Sequence, residues 1–468
     1  MLRDRYAPVD LFALAPALTL TFEPVLARLD VLLDDDVLFR AVRDDLARRY
    51  PRTRVTGRPS TPVAVILRML IVRRLYGWSY AETEQFVGDS LVLRQFCRLG
   101  LERAPDDTTL LRWASLIRPA TLDALLDHVV ALARQLKVTR GRKLRVDSTV
   151  VGTAIRHPTD SGLLADAVRM LGRVVRRAQP LVGTALAGVR DAFRTRTRSA
   201  RRQLQRIHRL ARRKGEAGEA ARRAAYARLC QVARTVVRQA ERVRAALLPE
   251  AADQPEPAPM ASHLVGELDR VLPLARRVID QTERRVLRDE QVPAAEKVVS
   301  LVEPHTAVIP RHKAGQSVEF GRKLWLAEAD GGIITDAEIL DGAPPDAPRV
   351  MRSVERHRRQ FGRPPDLLTG DRGCSTAAVR RDAAEAGIRR IALPQAGPPT
   401  NASRARERER WFRRGYRWRS GIEGRIGILR RVYGLDRCPE HASDGIERWV
   451  GLGVLTANLV AIARATAA

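Results

Sequence analysis

Two aspartates, Asp147 and Asp371, each follow a short apolar run, Leu144-Arg-Val146 before the first and Leu367-Leu-Thr-Gly370 before the second. Runs of this kind read as strands, and open α/β sheets build their sites beyond the carboxyl ends of strands. If the two strands are parallel neighbours, the carboxylates come within a few ångströms of each other, repel, and one of them titrates high. A divalent cation relieves that repulsion, and hard oxygen donors select Mg2+ or Mn2+. Taken singly, an Asp after a strand is equally suited to capping a helix or forming a turn. A third acid lies in the tail, where Tyr416, Arg419 and Arg430 stand at offsets of −7, −4 and +7 from Glu423. At about 100° per residue, the other three fall within roughly 40° of Glu423, so all four share one helical face. A carboxylate flanked by two guanidiniums and a phenol suits a metal ion and the phosphate groups around it. The same residues would also make a surface Arg–Glu pair at i,i+4 with the tyrosine packed alongside.

The elements that would position these groups alternate in type. Lys143 to Asp147 reads as a strand, and strands return at Lys297 to Pro310, Val318 to Leu326 and Gly332 to Leu340. The last two are joined by Asp330-Gly-Gly, a hairpin turn. A helix over Pro348 to Phe361 leads to the strand Asp366 to Asp371, then a helix from Ser375 to Ala386 and a strand at Arg390 to Leu393. The tail from about Arg404 is helical and ends in the apolar stretch Trp449 to Ile462. With 163–295 set aside, this is an α/β order in which the first strand and the one ending at Asp371 can lie parallel.

Residues 1–140 read as short helices. They include the apolar run Pro62 to Leu75, a helix opened by the capping box Ser79-Tyr-Ala-Glu82, and a further helix over Leu91 to Arg98. Another, N-capped within Pro105-Asp-Asp-Thr-Thr109, carries Leu110, Leu111, Trp113 and Ile117. Short helices joined by tight turns suit a helix-turn-helix module or a helical dimerisation bundle. From Leu163 to Ala295 the chain is helical and basic, broken by a loop at Pro249 to Pro259; thirteen Lys or Arg stand against three acids between Arg190 and Arg223.

A length of 468 residues fits two to four domains, and a net charge of +29 calls for a polyanion, of which nucleic acid is the default. The four cysteines, Cys97, Cys230, Cys374 and Cys438, form no CxxC pair, which argues against a disulfide framework or a zinc ribbon. The apolar start Leu11 to Leu20 contains Pro16 and soon meets Glu23, unlike a signal peptide, and no run approaches the roughly 20 apolar residues of a membrane span. The expectation is a soluble, cytoplasmic protein without membrane contact. His312 and Lys313 are placed before a strand as candidate phosphate contacts, and Trp411 and Trp418 suit either a stacking platform for an unpaired base or core packing.

The unbroken spacing Tyr416-x2-Arg419-x3-Glu423-x6-Arg430 resembles the tyrosine–arginine–glutamate–lysine signature of DDE-type bacterial insertion-sequence transposases. Val146-Asp147-Ser-Thr149 and Gly370-Asp371-Arg-Gly373 are similar to the family's first and second acidic motifs. His157-Pro-Thr-Asp-Ser161, Tyr76-Gly-Trp-Ser-Tyr80 and Pro105 to Trp113 resemble one subgroup of it. The chain departs at Arg430, where lysine is commoner, at Cys374, where an aromatic often stands, and in the 224 residues separating Asp147 from Asp371. The resemblance implies an α/β fold with a ribonuclease H-like catalytic core at 141–162 and 296–445. It further implies an N-terminal all-α DNA-binding domain at 1–140, a basic α-helical insertion at 163–295 after the first core strand, and a C-terminal packing helix at 446–468.

It implies that Asp147, Asp371 and Glu423 hold two Mg2+ (or Mn2+) ions, with Asp160, Glu319 and Asp366 as weaker competitors for the third place. Tyr416, Arg419 and Arg430 would then contact DNA beside the scissile phosphate, Tyr416 as a positioning group and not a nucleophile. The implied partner is double-stranded DNA, both the terminal inverted repeats and the target, bound by a homodimer. The alternatives are an inactive or domesticated DNA-binding relative and a structure-specific nuclease on the same core.

Overall fold

The computed structural model describes residues 1–6, 22–252, 259–313, 316–398 and 400–467, with the backbone alone at 249–252, 311–313 and 316–317. The apolar stretch Leu11 to Leu20 and residues 253–258 of the expected proline-rich loop lie outside the described residues. The chain divides into two compact units, Met1–Ala154 with Arg322–Ala468, and Ile155–Gly321.

Among the described residues of the first unit, seven α-helices precede the first strand: α1 (Pro24–Leu32), α2 (Asp36–Leu46), α3 (Val63–Tyr76), α4 (Tyr80–Asp89), α5 (Leu91–Phe96), α6 (Asp107–Ala114) and α7 (Pro119–Gln135). The capping box forms as expected: the Glu82 N–H donates to Ser79 Oγ (3.2 Å) and the Ser79 N–H donates to Glu82 Oε2 (2.8 Å). Asp106 starts α6 by accepting the Thr109 N–H at 2.7 Å. Helix α3 is buried from Val63 to Arg74. It can carry Arg68 there because the guanidinium donates to Asp30 (2.6 Å), Asp34 (2.9 Å) and the Phe96 carbonyl (3.0 Å).

The strands are β1 (Lys143–Thr153), β2 (Ala307–Lys313), β3 (Gln316–Ala329), β4 (Ile334–Leu340), β5 (Leu367–Thr369), β6 (Arg390–Ala392) and β7 (Arg437–Cys438). The remaining helices are α8 (Asp160–Val182), α9 (Thr197–Leu210), α10 (Glu216–Ala252), α11 (Pro259–Thr282), α12 (Ala347–Phe361), α13 (Ala377–Glu385), α14 (Asn401–Arg408), α15 (Arg410–Arg431) and α16 (Ala442–Ala467). The sheet of the first unit runs β4-β3-β1-β5-β6, with β7 against the far end of β1. It is mixed: β3 and β4 are antiparallel, whereas β1, β5 and β6 are parallel. The β3–β4 turn is the expected Asp330-Gly-Gly, and both glycines take positive φ (82° and 76°), which a side chain would resist.

Three features differ from the sequence reading. Strand β1 does not end at Asp147 but runs six residues further, because its first rungs pair with β5 and its last, Gly152 and Thr153, pair with β7. Only Ala307 onward of the expected strand Lys297 to Pro310 is extended in a ladder. In the second unit Val298 and Leu301 bury instead among the helices α8–α11, and the Gln281 side chain takes the Val298 N–H (2.8 Å) and carbonyl (3.1 Å) that a neighbouring strand would need. Helix α10 also continues through Pro249 to Ala252, into the stretch expected to loop.

Helix α16 is, by length and composition, apolar enough to cross a membrane, which the sequence reading did not anticipate. It is nevertheless a core helix, most of whose apolar side chains are buried against other parts of the first unit. Its buried Asn458 accepts the Ile334 N–H (2.9 Å) and donates to the Ile334 carbonyl (2.8 Å), fixing the helix to the backbone of β4.

Candidate active site

The rungs between β1 and β5 end at Arg145 opposite Thr369, so Asp147 and Asp371 each stand two residues beyond the last pair. Gly370 permits this close approach, since a Cβ there would lie 3.0 Å from Val146 Cγ2 and 3.1 Å from Cys374 Cβ. The Asp147 carboxylate accepts the Ser148 N–H (2.8 Å) and lies 3.3 Å from Arg419 Nη1. Burial, followed by the charges of Asp371 and Asp346, pushes its pKa up to about 6, with the Ser148 N–H and Arg419 pulling the other way. Asp371 caps the turn Arg372–Cys374 by accepting the Cys374 N–H at 3.0 Å. The buried Cys374 thiol is pushed far up by burial and by the charges of Asp371, Asp346 and Asp147, which marks the three carboxylates as its neighbours.

Sequence reasoning missed Asp346. It pairs with Lys323 at 2.8 Å and accepts the Ser148 hydroxyl at 3.0 Å. Its setting, Pro344-Pro-Asp-Ala-Pro348, reads only as the start of a helix.

Helix α15 carries Tyr416, Arg419, Glu423 and Arg430 together, as their spacing requires. Arg419 is central: it reaches Asp147 Oδ2 (3.3 Å) and Glu423 Oε1 (3.0 Å), and its Cζ lies 5.4 Å from the Tyr416 ring. The Glu423 side chain is 62% exposed and separated from Asp147 by that guanidinium. Among the described residues, no three His, Cys, Asp or Glu side chains form a group that could hold a metal ion. Asp147 and Asp371, on adjacent parallel strands, and Asp346, whose charge also raises the Asp147 pKa, offer hard oxygens of the kind Mg2+ and Mn2+ take. Arg430 does not face the acids but pairs with Asp436 (2.8 Å), whose carbonyl accepts the Gly152 N–H at 3.0 Å.

A buried charge network, also unforeseen, sets α15 against the sheet. Arg145 donates to both oxygens of Glu328 (3.0 and 2.7 Å) and to the Trp418 carbonyl (2.7 Å), and Arg425 adds a contact to Glu328 at 3.4 Å. Two glycines let the helix come close. A Cβ at Gly421 would meet Arg145 Nη1 at 2.1 Å, and one at Gly415 would meet Ala392 Cβ at 3.0 Å. The signal was an Arg and a Glu within otherwise apolar strands, legible only once β1 and β3 are known to be neighbours.

Trp418 lies under Arg145 (4.6 Å), and with Trp411 it packs on Leu367, Ala392 and Phe412. A cleft of about 700 Å³ beside them is lined by Arg142, Lys143, Arg389, Arg390, Arg414 and Arg417, with Asp366 held by Arg389 at 2.7 Å. Of the other acids weighed, Asp160 is committed to Arg285 (2.9 Å) and Gln281 (3.2 Å), and Glu319 stands opposite Ile309 on β3. His312 and Lys313 fall on β2, where their side chains lie outside the described residues.

The protein is thus of the mixed α/β class, with two carboxylates just past the last rung of adjacent parallel strands and an arginine-rich helix packed over them. Residues 20–116 match the model of the family described as Transposase domain (DUF772), which supports a transposase family for the chain. A protein of Rhizobium meliloti, described as an uncharacterized protein, ORF8 in the nfe locus, is 32% identical over 128 residues, or 26% of this chain. The match spans 61% of that relative's length. No solved structure matches the chain.

Proposed function

We propose that the chain is a DDE-type transposase that binds insertion-sequence ends and catalyses metal-dependent DNA cleavage and strand transfer, with Asp147, Asp371 and Glu423 as its acidic residues. The observation that carries this reading is the register of β1 on β5, which sets Asp147 and Asp371 side by side, two residues past the last rung. The mixed sheet, parallel over β1, β5 and β6, supports a ribonuclease H-like core. The transposase-domain match over 20–116 supports a role for the helices of 1–140 in gripping DNA ends.

Asp147 and Asp371 would hold two Mg2+ (or Mn2+) ions, with Glu423 joining them. When bound, such ions activate a water or a DNA 3′-hydroxyl and stabilise the leaving 3′-oxygen. Arg419 neutralises Asp147 and Glu423 in the free protein. A DNA phosphate competes for that guanidinium and frees both carboxylates. Tyr416 orients Arg419, and Arg430, tied to Asp436, steadies the chain leading to β7. His312 and Lys313 contact phosphate, the basic helices of 163–295 follow the duplex, and the protein works in the cytoplasm as a homodimer on terminal repeats and target DNA.

A DNA-binding relative without catalysis is the second reading, favoured by the separation of Glu423 from Asp147 by Arg419. A strand-transfer assay with Mg2+ on a DNA end distinguishes the cases: joined products for a transposase, cut ends alone for a nuclease, neither for a silent binder. Asp147→Ala, Asp371→Ala and Glu423→Ala are each expected to abolish cutting while leaving end binding within about threefold of the parent. An alanine variant that still cuts at the parental rate would remove that residue from the site.

A further inference from the structure

Within the first unit, a cavity of about 850 Å³ opens where the end of α3 meets the start of α16. Strand β7, on its wall, pairs with Gly152 and Thr153 of β1, five residues and so about 17 Å along the strand from Asp147. Three guanidiniums, those of Arg73 and Arg74 on α3 and Arg448 on α16, line the cavity from its helices, and Arg437 lines it from β7. Arg73 and Arg74 are 3% and 2% exposed, and the Arg448 side chain 13%. Arg73 stacks 3.6 Å over the Tyr80 ring and Arg74 3.6 Å over Trp449, so aromatic faces hold the planes of two of the three cations.

Arg74 Nη2 donates to the Trp449 carbonyl, but the other donors of these cations have little to answer them. Glu440 accepts the Tyr80 hydroxyl at 3.0 Å but stands 3.9 Å from Arg73 Nη1 and 3.8 Å from Arg448 Nε, within Coulombic reach and beyond hydrogen-bond range. Among the described residues, Nε and Nη1 of Arg73 and the Nε atoms of Arg74 and Arg448 are buried without a hydrogen-bond partner. Burial and the charge of Arg73 draw the Arg74 pKa down to about 9. Buried charged donors left unpaired are unfavourable, and a fold keeps them where something else completes them. Space is made for them as well: a Cβ at Gly453 would sit 2.6 Å from Arg74 Nη2.

We propose that this cavity binds a nucleoside phosphate, the three guanidiniums taking the phosphate and the apolar walls taking the base. A bare phosphate would leave most of 850 Å³ unfilled, whereas that volume lies within the range of about 300–1,000 Å³ usual for small-molecule sites. An oxyanion accepts several N–H groups at once and adds negative charge beside Glu440, the other carboxylate on the wall, Asp436, being paired with Arg430. The nucleoside phosphate is either a free nucleotide or one unit of a DNA strand. The inference does not rest on the acids of β1 and β5.

The test is calorimetric titration of the full chain at fixed ionic strength with a metal chelator present, using dAMP, inorganic phosphate, deoxyadenosine and a short single-stranded oligonucleotide. A free-nucleotide site predicts dAMP binding at least tenfold tighter than phosphate, and none detectable for deoxyadenosine. A strand site predicts that the oligonucleotide alone shows the dependence on the cavity. In either case Arg448→Gln weakens the responding probe at least tenfold, and Glu440→Gln, which removes the competing carboxylate, tightens it severalfold. Opposite effects from these two substitutions are not what a structural role would give, and the second stands if the first fails to fold. The proposal is overturned if neither dAMP nor the oligonucleotide binds, or if both variants bind as the parent does. Neither result bears on metal-dependent cutting.

Discussion

Asp147 is a carboxylate the fold holds at the expense of its own stability. Its pKa of about 6 lies above the ordinary value, so between about pH 4 and 6 the folded chain binds more protons than the unfolded one. Its contribution is therefore fully present at low pH and is lost as pH rises through 6. Asp147→Asn should raise the stability of the metal-free protein at pH 8 by about 2 kcal/mol while abolishing activity. Thermal melting in chelator checks this, and a variant that melts no higher than the parent refutes it. His357 works in the opposite sense. Buried on α12, it donates from Nε2 to the Gly141 carbonyl (2.9 Å), and burial draws its pKa down to about 4. The unfolded chain then binds the extra proton between about pH 6.5 and 4, so stability falls as pH drops through that window, by up to about 3 kcal/mol. His357→Gln should flatten the acid limb of the melting-temperature profile. An unchanged limb would assign acid lability elsewhere. At this scale the sequence was most legible where spacing is local: the shared face of Tyr416, Arg419 and Glu423 follows from helical period alone, whereas Asp346 meets Ser148 across 198 residues and left no trace.

Among the elements, α15 decides whether the signature residues face the acids, and Arg145 decides where α15 lies. Replacing Arg145 with Met strips Glu328 of its bidentate partner and leaves a buried carboxylate with Arg425 alone. A loss of about 3–5 kcal/mol in denaturant unfolding is expected. Cutting should fall with it even though no proposed metal-holding residue is touched, and a variant of parental stability would show that the network does not anchor the helix. The parallel pairing of β1 with β5 and the β3–β4 hairpin were legible because apolar runs and a Gly-Gly turn specify them locally. The stretch Lys297 to Pro310 was not, since its valines suit a strand equally well and Gln281, which claims the backbone of Val298, lies in the preceding helix. Likewise nothing in the composition of α16 tells a core helix from a membrane span; Asn458 and its bonds to Ile334 do.

For the whole molecule, charge was the most legible property, and its distribution makes a prediction. Helix α9 buries Ala200, Ile207 and Leu210 and turns Arg201, Arg202, Arg206 and Arg209 to solvent. If these cations neutralise phosphates, changing all four to Gln should reduce the slope of log affinity against log salt by up to about 3.6, at about 0.9 for each phosphate released. A slope unchanged from the parent would exclude this helix from the DNA contact.

Of the 83 cationic side chains, 77 are arginine, a bias that GC-rich codons produce without selection on any one position. Most of those arginines can drift to lysine at little cost as the base composition of a lineage changes. Arg145 cannot, because its fork serves two oxygens of Glu328 and the Trp418 carbonyl at once, and an ammonium group cannot reproduce that planar geometry. In an AT-rich lineage most of the arginines would become interchangeable cations, and the position two residues before Asp147 would stand out, with buried forks such as Arg68, among the few held fixed.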